Sequence, residues 1–382
     1  MVSRLTMTAP PQLENYKTTD FWFSDGNVIL LVEDMAFKVH QGQLVRHSDV
    51  FRDMFSLPPP ASETIDGIPW VQLHDDPTDV LHLLRALYDG LSLPQATSAR
   101  CPAVLRMSSK YLIDHLRERC LARLEADWPT TLLGWDRREQ QATVDTRYNP
   151  REHFPHPVLV IQLAQELSLD HLLPCAFYDL CRYGPRKIAA GASTIPALLP
   201  AKVRAQAHPP VQTQSSSASA GSNVVQLRLG KPHLRGAFLG RECGQRFLAD
   251  FIQRELHGRA VSANCANRTH ANGHHCRESY YFIMLNLLRA VSGIATGRDA
   301  DPLFSLMQAV EMLSRTDFSD GTRQCGLRIC ASCKEDFSLA VAKARKEAWD
   351  LIPEWFGLRE KSKGEQKPQA LEAERERVES AA

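Results

Sequence analysis

The chain changes hydrophobic period twice between Phe21 and Leu57, and that segment sets the expected fold. Asn27 to Val32 is a short apolar, β-branched run, Glu33-Asp34 is polar turn material, and Phe37 and Val39 alternate with Lys38 and His40. This pattern predicts a β-hairpin. Ser48 is placed to cap a helix with Val50, Phe51, Met54 and Phe55 on one side, and Pro58-Pro59-Pro60 cannot continue it. Ile68 to His74 reads as a third strand, Asp76-Pro77-Thr78-Asp79 as a helix start and Gly90 as its stop. Val104 to Tyr111 and Leu116 to Leu124 give two more helices, with Cys120 on the buried side. The polar stretch from Asp127 to Tyr148 reads as a loop. Val158 to Leu167 and Asp170 to Tyr183 then restore a helical period as a hairpin that carries Cys175 and Cys181 as small buried residues.

Between Ala205 and Gly221 the sequence AQAHPPVQTQSSSASAG has almost no large apolar residue and reads as a linker. Beyond it, helices are expected around Cys243 to Leu256 and over Tyr280 to Val291, the latter apolar nearly all round and hence central and buried. Asp301-Pro302 starts a further helix. Ser332-x-x-Glu335 reads as the capping box of a last one that ends before Pro353. The charged tail after Leu358 lacks the apolar content to fold alone. The expected organisation is α+β at 16–127, a helical extension at 128–204, a linker at 205–230, a helical Cys/His-containing domain at 231–358 and a disordered tail at 359–382.

The residues Asp25-Gly26, Phe37-x-Val39-His40, Leu44, Ser48, Phe51 and Met54-Phe55 resemble the signature of the BTB/POZ domain. The wider pattern, with Trp70-Val71-Gln72-Leu73, Leu87-Tyr88 and SSKYLIDHLRERCL at 108–121, is similar to BTB-containing proteins abundant in mushroom-forming fungi. The resemblance implies a short sheet with packed helices and a surface for partners: a second copy or another BTB protein. It places Asp25, His40 and Gln41 in the region of the dimer surface, with Gln41 standing where a basic residue often follows the histidine. The position of 128–204 resembles the helical BACK extension that follows many BTB domains. Two alternative roles come with the family, a substrate adaptor for a cullin-based ubiquitin ligase and a transcriptional or chromatin regulator. Leu57-Pro58-Pro59 replaces the apolar-x-Glu motif of many cullin adaptors.

Composition narrows the chemistry. With 45 basic and 44 acidic residues the formal charge is +1, which gives no long-range attraction for nucleic acid or an anionic membrane. No apolar run approaches the roughly 20 residues of a membrane span, and no secretory signal opens the chain, so an intracellular place, cytoplasm or nucleus, is expected. The chain has no G-x-S-x-G elbow, P-loop, G-x-G-x-x-G or H-E-x-x-H. We therefore read no enzyme, no catalytic residues and no small-molecule substrate.

Ten cysteines in a chain of this size point to thiols or metal ligands rather than a disulfide scaffold. Cys330-Ala-Ser-Cys333 puts two thiols at a helix start, and Cys265 and Cys276 bound an insert with Asn264, Asn267, His270, His274 and His275, good ligand company and poor core. Structural zinc needs four N or S ligands. Cys265, Cys276, Cys330 and Cys333 are the preferred set, with Cys325 and His275 as alternates.

Overall fold

The computed structural model describes residues 12–56, 64–91, 100–145, 147–194, 225–268, 274–291, 300–319 and 324–358. Its first unit is built on strand β2 (Val28–Val32), every residue of which is buried. The run does not alternate because both faces of the sheet are covered. Val28, Leu30 and Val32 join the main core, while Ile29 and Leu31 meet Ala36 and Ile65 on the other face. β2 turns through Glu33 and Asp34 into β3 (Met35–Val39), pairing antiparallel with Val28 opposite Val39. Strand β1 (Lys17–Trp22) lies parallel to β3 at the sheet edge. With β4 (Thr64–Ile65) and β5 (Ile68–Leu73) the order is β1-β3-β2-β5-β4.

Helices α1 (Gln41–His47), α2 (Asp49–Ser56), α3 (Pro77–Tyr88), α4 (Arg100–Lys110) and α5 (Asp114–Asp127) cover one face. Ser48 performs the expected cap by accepting the Phe51 N–H at 3.1 Å, and its hydroxyl also donates to the Tyr111 carbonyl. One side chain thus starts α2 and ties it to the end of α4. Phe51 is the buried residue of α2 and stacks on Tyr111 at 4.4 Å, whereas Val50, Met54 and Phe55 are half-buried. Asp76 caps α3 through the Thr78 N–H, and Asp79 forms a buried two-toothed pair with Arg106 of α4.

The loop expected over Asp127 to Tyr148 is corrected: Leu132–Gln141 is a helix, α6, capped by Thr131 and followed by a hairpin of β6 (Thr143–Val144) and β7 (Arg147–Tyr148). Its buried side consists of Trp135 and Arg138, so the apolar period that would reveal it is missing. Arg138 is buried by lying over the rings of Trp128, Trp135 and Phe154. Then come α7 (Pro150–His153), α8 (Pro157–Glu166), α9 (Leu173–Cys181) and α10 (Pro185–Ala190). Strand β8 (Ala192–Thr194) pairs antiparallel with β9 (Val225–Leu227). Most of the linker placed at 205–230 and the tail placed at 359–382 fall outside the described residues.

The C-terminal helices are α11 (Lys231–Glu255), α12 (His274–Val291), α13 (Pro302–Glu311) and α14 (Ala331–Trp355); β10 (Phe318–Ser319) and β11 (Gln324–Cys325) form a small hairpin before α14. α9 packs on α11 and α14, with Phe177 stacked on Phe356 at 5.5 Å, Trp135 against Trp349, and Arg345 paired with Asp136. Gly240 of α11 lets Phe356 in, since an added Cβ would overlap its ring. Asp301 caps α13 as expected.

Three readings of this region are corrected. α12 is not buried all round: Tyr280, Ile283, Leu287 and Ala290 lie on its buried side, while Tyr281, Leu285 and Leu288 are exposed. Among the described residues, helices cover one of its sides. The N-cap of α14 is Cys330, without a side-chain cap bond, and Ser332 lies inside the first turn rather than capping it. The helix also runs through Pro353 and ends in paired bonds from Gly357 N–H to Glu354 and Leu358 N–H to Pro353, with Gly357 at φ +67°. This left-handed glycine termination stops the helix; Pro353, inside the last turn, has no N–H to give the Trp349 carbonyl, so one rung of the helix is missing there.

A buried charge cluster joins these helices. Asp179 of α9 accepts from Arg138 at 3.0 Å, from Arg151 at 2.7 Å and from Arg182. Arg182 also reaches Glu139 at 2.7 Å, Asp301 at 3.1 Å and the Tyr148 hydroxyl, and Tyr178 donates to Asp301 at 2.7 Å. Burial alone would raise the Asp179 carboxyl, but Arg151, Arg138 and Arg182 hold it well below the usual carboxylate range.

Phe51→Ala is expected to destabilise the protein by about 3–5 kcal/mol in denaturant titration, the cost of emptying a packed aromatic site. A loss under about 0.5 kcal/mol, typical of the surface, would contradict the burial of Phe51. Asp179→Ala should cost about 3–5 kcal/mol, because three guanidiniums lose a common partner in the interior. A carboxyl depressed by folding stabilises above its unfolded pKa and loses that contribution as pH falls through the folded value. Acid unfolding should therefore deepen below about pH 4 in the wild type. The Asp179→Ala protein should lack that component.

Candidate metal centre and partner face

The four preferred cysteines come together from three places. Cys265 lies in a tight turn after α11, in which its N–H bonds Ser262 and its carbonyl accepts from Arg268. Cys276 is in the first turn of α12, and Cys330 and Cys333 begin α14. All four sulfurs lie within 4.8 Å of one another, with Cys265 3.7 Å from Cys276 and 3.7 Å from Cys330. Disulfide sulfurs stand about 2.05 Å apart. The edge of a tetrahedron with zinc–sulfur bonds of about 2.3 Å is about 3.8 Å, close to the distances seen here.

The surroundings suit thiolates. Cys333 accepts the Ser262 N–H at 3.3 Å, and Cys276 accepts the Cys330 N–H at 3.4 Å and the Asn267 amide at 3.2 Å. The N–H groups of Cys333 and Ala266 act on Cys330, and that of Asn267 on Cys265. Every sulfur is thus met by at least one N–H donor. Burial pushes Cys265 up and, with its thiol neighbours, pushes Cys333 up to about 12. At Cys330 burial also works upward but is outweighed by the N–H groups of Cys333 and Ala266 and by the neighbouring thiols, bringing it to about 6. Tyr280 of α12 donates to the Cys333 carbonyl at 3.0 Å and locks the two helix starts together.

Of the alternates, His275 belongs to a separate surface group with His274 and Glu278 and faces Glu278 at 3.7 Å. Cys325 lies in β11 opposite Phe318, and its side chain falls outside the described residues, as does His270. The role of Asn267 as a sulfur donor escaped the sequence reading, which saw it only as polar company; its place two residues after Cys265 was the available signal.

At the other end of the chain, His40 bridges Asp25 at 3.3 Å through Nε2 and the Tyr88 hydroxyl at 3.0 Å through Nδ1, with Phe23 packed on its ring. Its own N–H also donates to Tyr88 at 3.0 Å. A backbone N–H and then His40 hold the exposed Asp25 carboxyl below its ordinary range. The Gln41 N–H donates to the Asn27 side chain at 2.7 Å at the start of α1. Asp25, His40 and Gln41 therefore form one small surface at the junction of sheet and first helix.

A family model described as the BTB/POZ domain matches residues 22–127. The N-terminal unit is a BTB/POZ domain. None of the curated proteins matches the chain. The match runs from β1's last residue through α5, so strands β2 to β5, the Ser48 cap and the Asp25–His40 surface lie within the BTB domain. BTB domains serve in general as protein-interaction modules. No helix among the described residues is long and apolar enough to cross a membrane.

In chelator-treated protein at pH 7, iodoacetamide should alkylate Cys330 before Cys333, because Cys330 is half-buried with N–H groups that lower its thiol, whereas Cys333 is fully buried and pushed up. Peptide mass spectrometry over time reads the order; Cys333 labelled first would contradict the assigned donor pattern.

Proposed function

We propose that this chain is an interaction scaffold whose BTB domain pairs with a second copy or with another BTB protein, while a zinc-braced helical body presents a second binding surface. The observation that carries the reading is the BTB domain itself. Pairing is supported by β1, an edge strand with no strand neighbour on its outer side among the described residues. An open edge leaves backbone donors and acceptors to be matched. The Asp25, His40 and Gln41 surface adjoins the same end of the sheet.

The zinc reading is supported by two sulfur separations of 3.7 Å, near the edge of a zinc–thiolate tetrahedron, and by the N–H donors. Four thiolates would fill the coordination sphere, leaving no position for a substrate, so the ion would be structural. Its binding free energy would then appear as folding free energy.

The full chain at about 10–50 μM, where moderate interfaces are populated, should sediment at twice the monomer mass. A monomer throughout that range would rule out self-pairing and leave another BTB protein as the partner. Purified protein should contain one zinc per chain by elemental analysis, and Cys276→Ala and Cys330→Ala should each lose it and melt several degrees lower. A folded wild type without zinc would end the metal reading. Capture of a cullin by the full chain, or of chromatin proteins, would direct the scaffold role to the corresponding pathway.

A further inference from the structure

A cavity of about 370 Å³ opens beside the buried charge cluster, between β7, α7, α8, α9 and α10. That is a size at which proteins hold small organic ligands. Its polar side chains are Tyr148, Asn149, Arg151, His156, Tyr183 and Lys187, and among the described residues no Asp or Glu lines it. Two prolines, Leu180 and Ala190 make up most of the remaining wall.

These groups offer donors. Arg151 gives one N–H to Asp179 at 2.7 Å and one to the Pro155 carbonyl at 3.1 Å. A guanidinium carries five N–H donors, so among the described residues three remain beyond these two bonds, which fix the direction of the fork. His156 accepts the Val158 N–H on Nδ1 at 3.3 Å, which places the ring proton on Nε2. Burial, and then Arg151, push His156 down to about 4, so at neutral pH it remains an uncharged donor. Lys187 lies over the Tyr183 ring at 4.9 Å and has no carboxylate partner among the described residues. The Tyr148 hydroxyl is already engaged with Arg182 and Glu139, so that residue contributes its ring as a wall.

The charges around the cavity do not cancel. Arg138, Arg151 and Arg182 are matched by Asp179, Glu139 and Asp301. Among the described residues around the cavity, Lys187 is the cation left over, standing at the exposed side of a space walled by donors and rings. We propose that this cavity binds a small molecule carrying an oxyanion, a carboxylate or a phosphate ester, on an apolar or aromatic body that lies against Tyr148 and Tyr183. The oxyanion accepts from Arg151, His156 and Lys187, contacts that are charge-assisted at the two cations. A bare inorganic ion would leave most of the volume unfilled.

The test is calorimetric titration of the full chain with phenyl phosphate and with benzoate, using phenol as the neutral match. One of the two acids should bind with one-to-one stoichiometry, and phenol should bind at least about tenfold more weakly. Lys187→Gln should weaken the acid by about fivefold or more without shifting the melting temperature, since Lys187 is exposed. Preference for phenyl phosphate assigns a phosphate ligand, and preference for benzoate a carboxylate. Absence of binding by both acids at about 5 mM, phenol binding as well as either, or an affinity unchanged in Lys187→Gln would each overturn the proposal. The outcome is independent of zinc and of BTB pairing.

Discussion

The helical body depends on one buried carboxylate being shared among three guanidiniums. Arg138, Arg151 and Arg182 come from three different helices or helix ends, and the buried Arg138 and Arg182 would be costly there without counter-charge. Asp179 supplies that counter-charge at a single point, so the positions of α6, α7 and α9 are fixed relative to each other within hydrogen-bond tolerance. Arg182 then carries the constraint to Asp301, whose other duty is to cap α13. A purely apolar interface would slide more readily. Here the geometry of planar forks on a carboxylate selects one arrangement, while apolar packing such as Phe177 on Phe356 supplies the stability around it.

The sulfur cluster plays a comparable part at the other end of the same body. It gathers a turn after α11 and the first turns of α12 and α14, where few large apolar residues are available. The two anchors are chemically opposite: one concentrates positive charge around a carboxylate, the other concentrates potential negative charge among backbone N–H groups. Between them run the apolar faces of α11, α12 and α14, with Phe247, Phe251, Ile283 and Phe337 in the core.

Much of the BTB domain was legible in the sequence because its elements follow simple periods. The β2–β3 hairpin, the Ser48 cap and the Asp76 start of α3 all arise where a local rule and the tertiary structure agree. The gathering of the four cysteines was also legible, because Cys-x-x-Cys spacing and polar company point to thiols that meet even when the chain separations are long. What escaped was burial of charge. α6 hides Arg138 and Trp135 rather than a leucine stripe, so periodicity reads it as loop, and the cavity residues Arg151, His156 and Lys187 look like ordinary surface. The reverse error occurred on α12, whose Tyr281, Leu285 and Leu288 carry the composition of a core without the neighbours to bury them. At Ser332 the capping-box pattern was present, but Cys330 already occupied the cap position.

Helix α14 has a mechanical consequence of its own. Its 25 residues make a rod about 37 Å long, pinned by Cys330 and Cys333 at one end and by Phe356, Trp349 and Arg345 toward the other. A rod held at both ends cannot rotate about its axis without breaking one set of contacts. Release of the cysteine end, however, leaves the far half still clamped. Opening should therefore be graded, with amide exchange fastest in the turns after Cys330 and slowest toward Trp349.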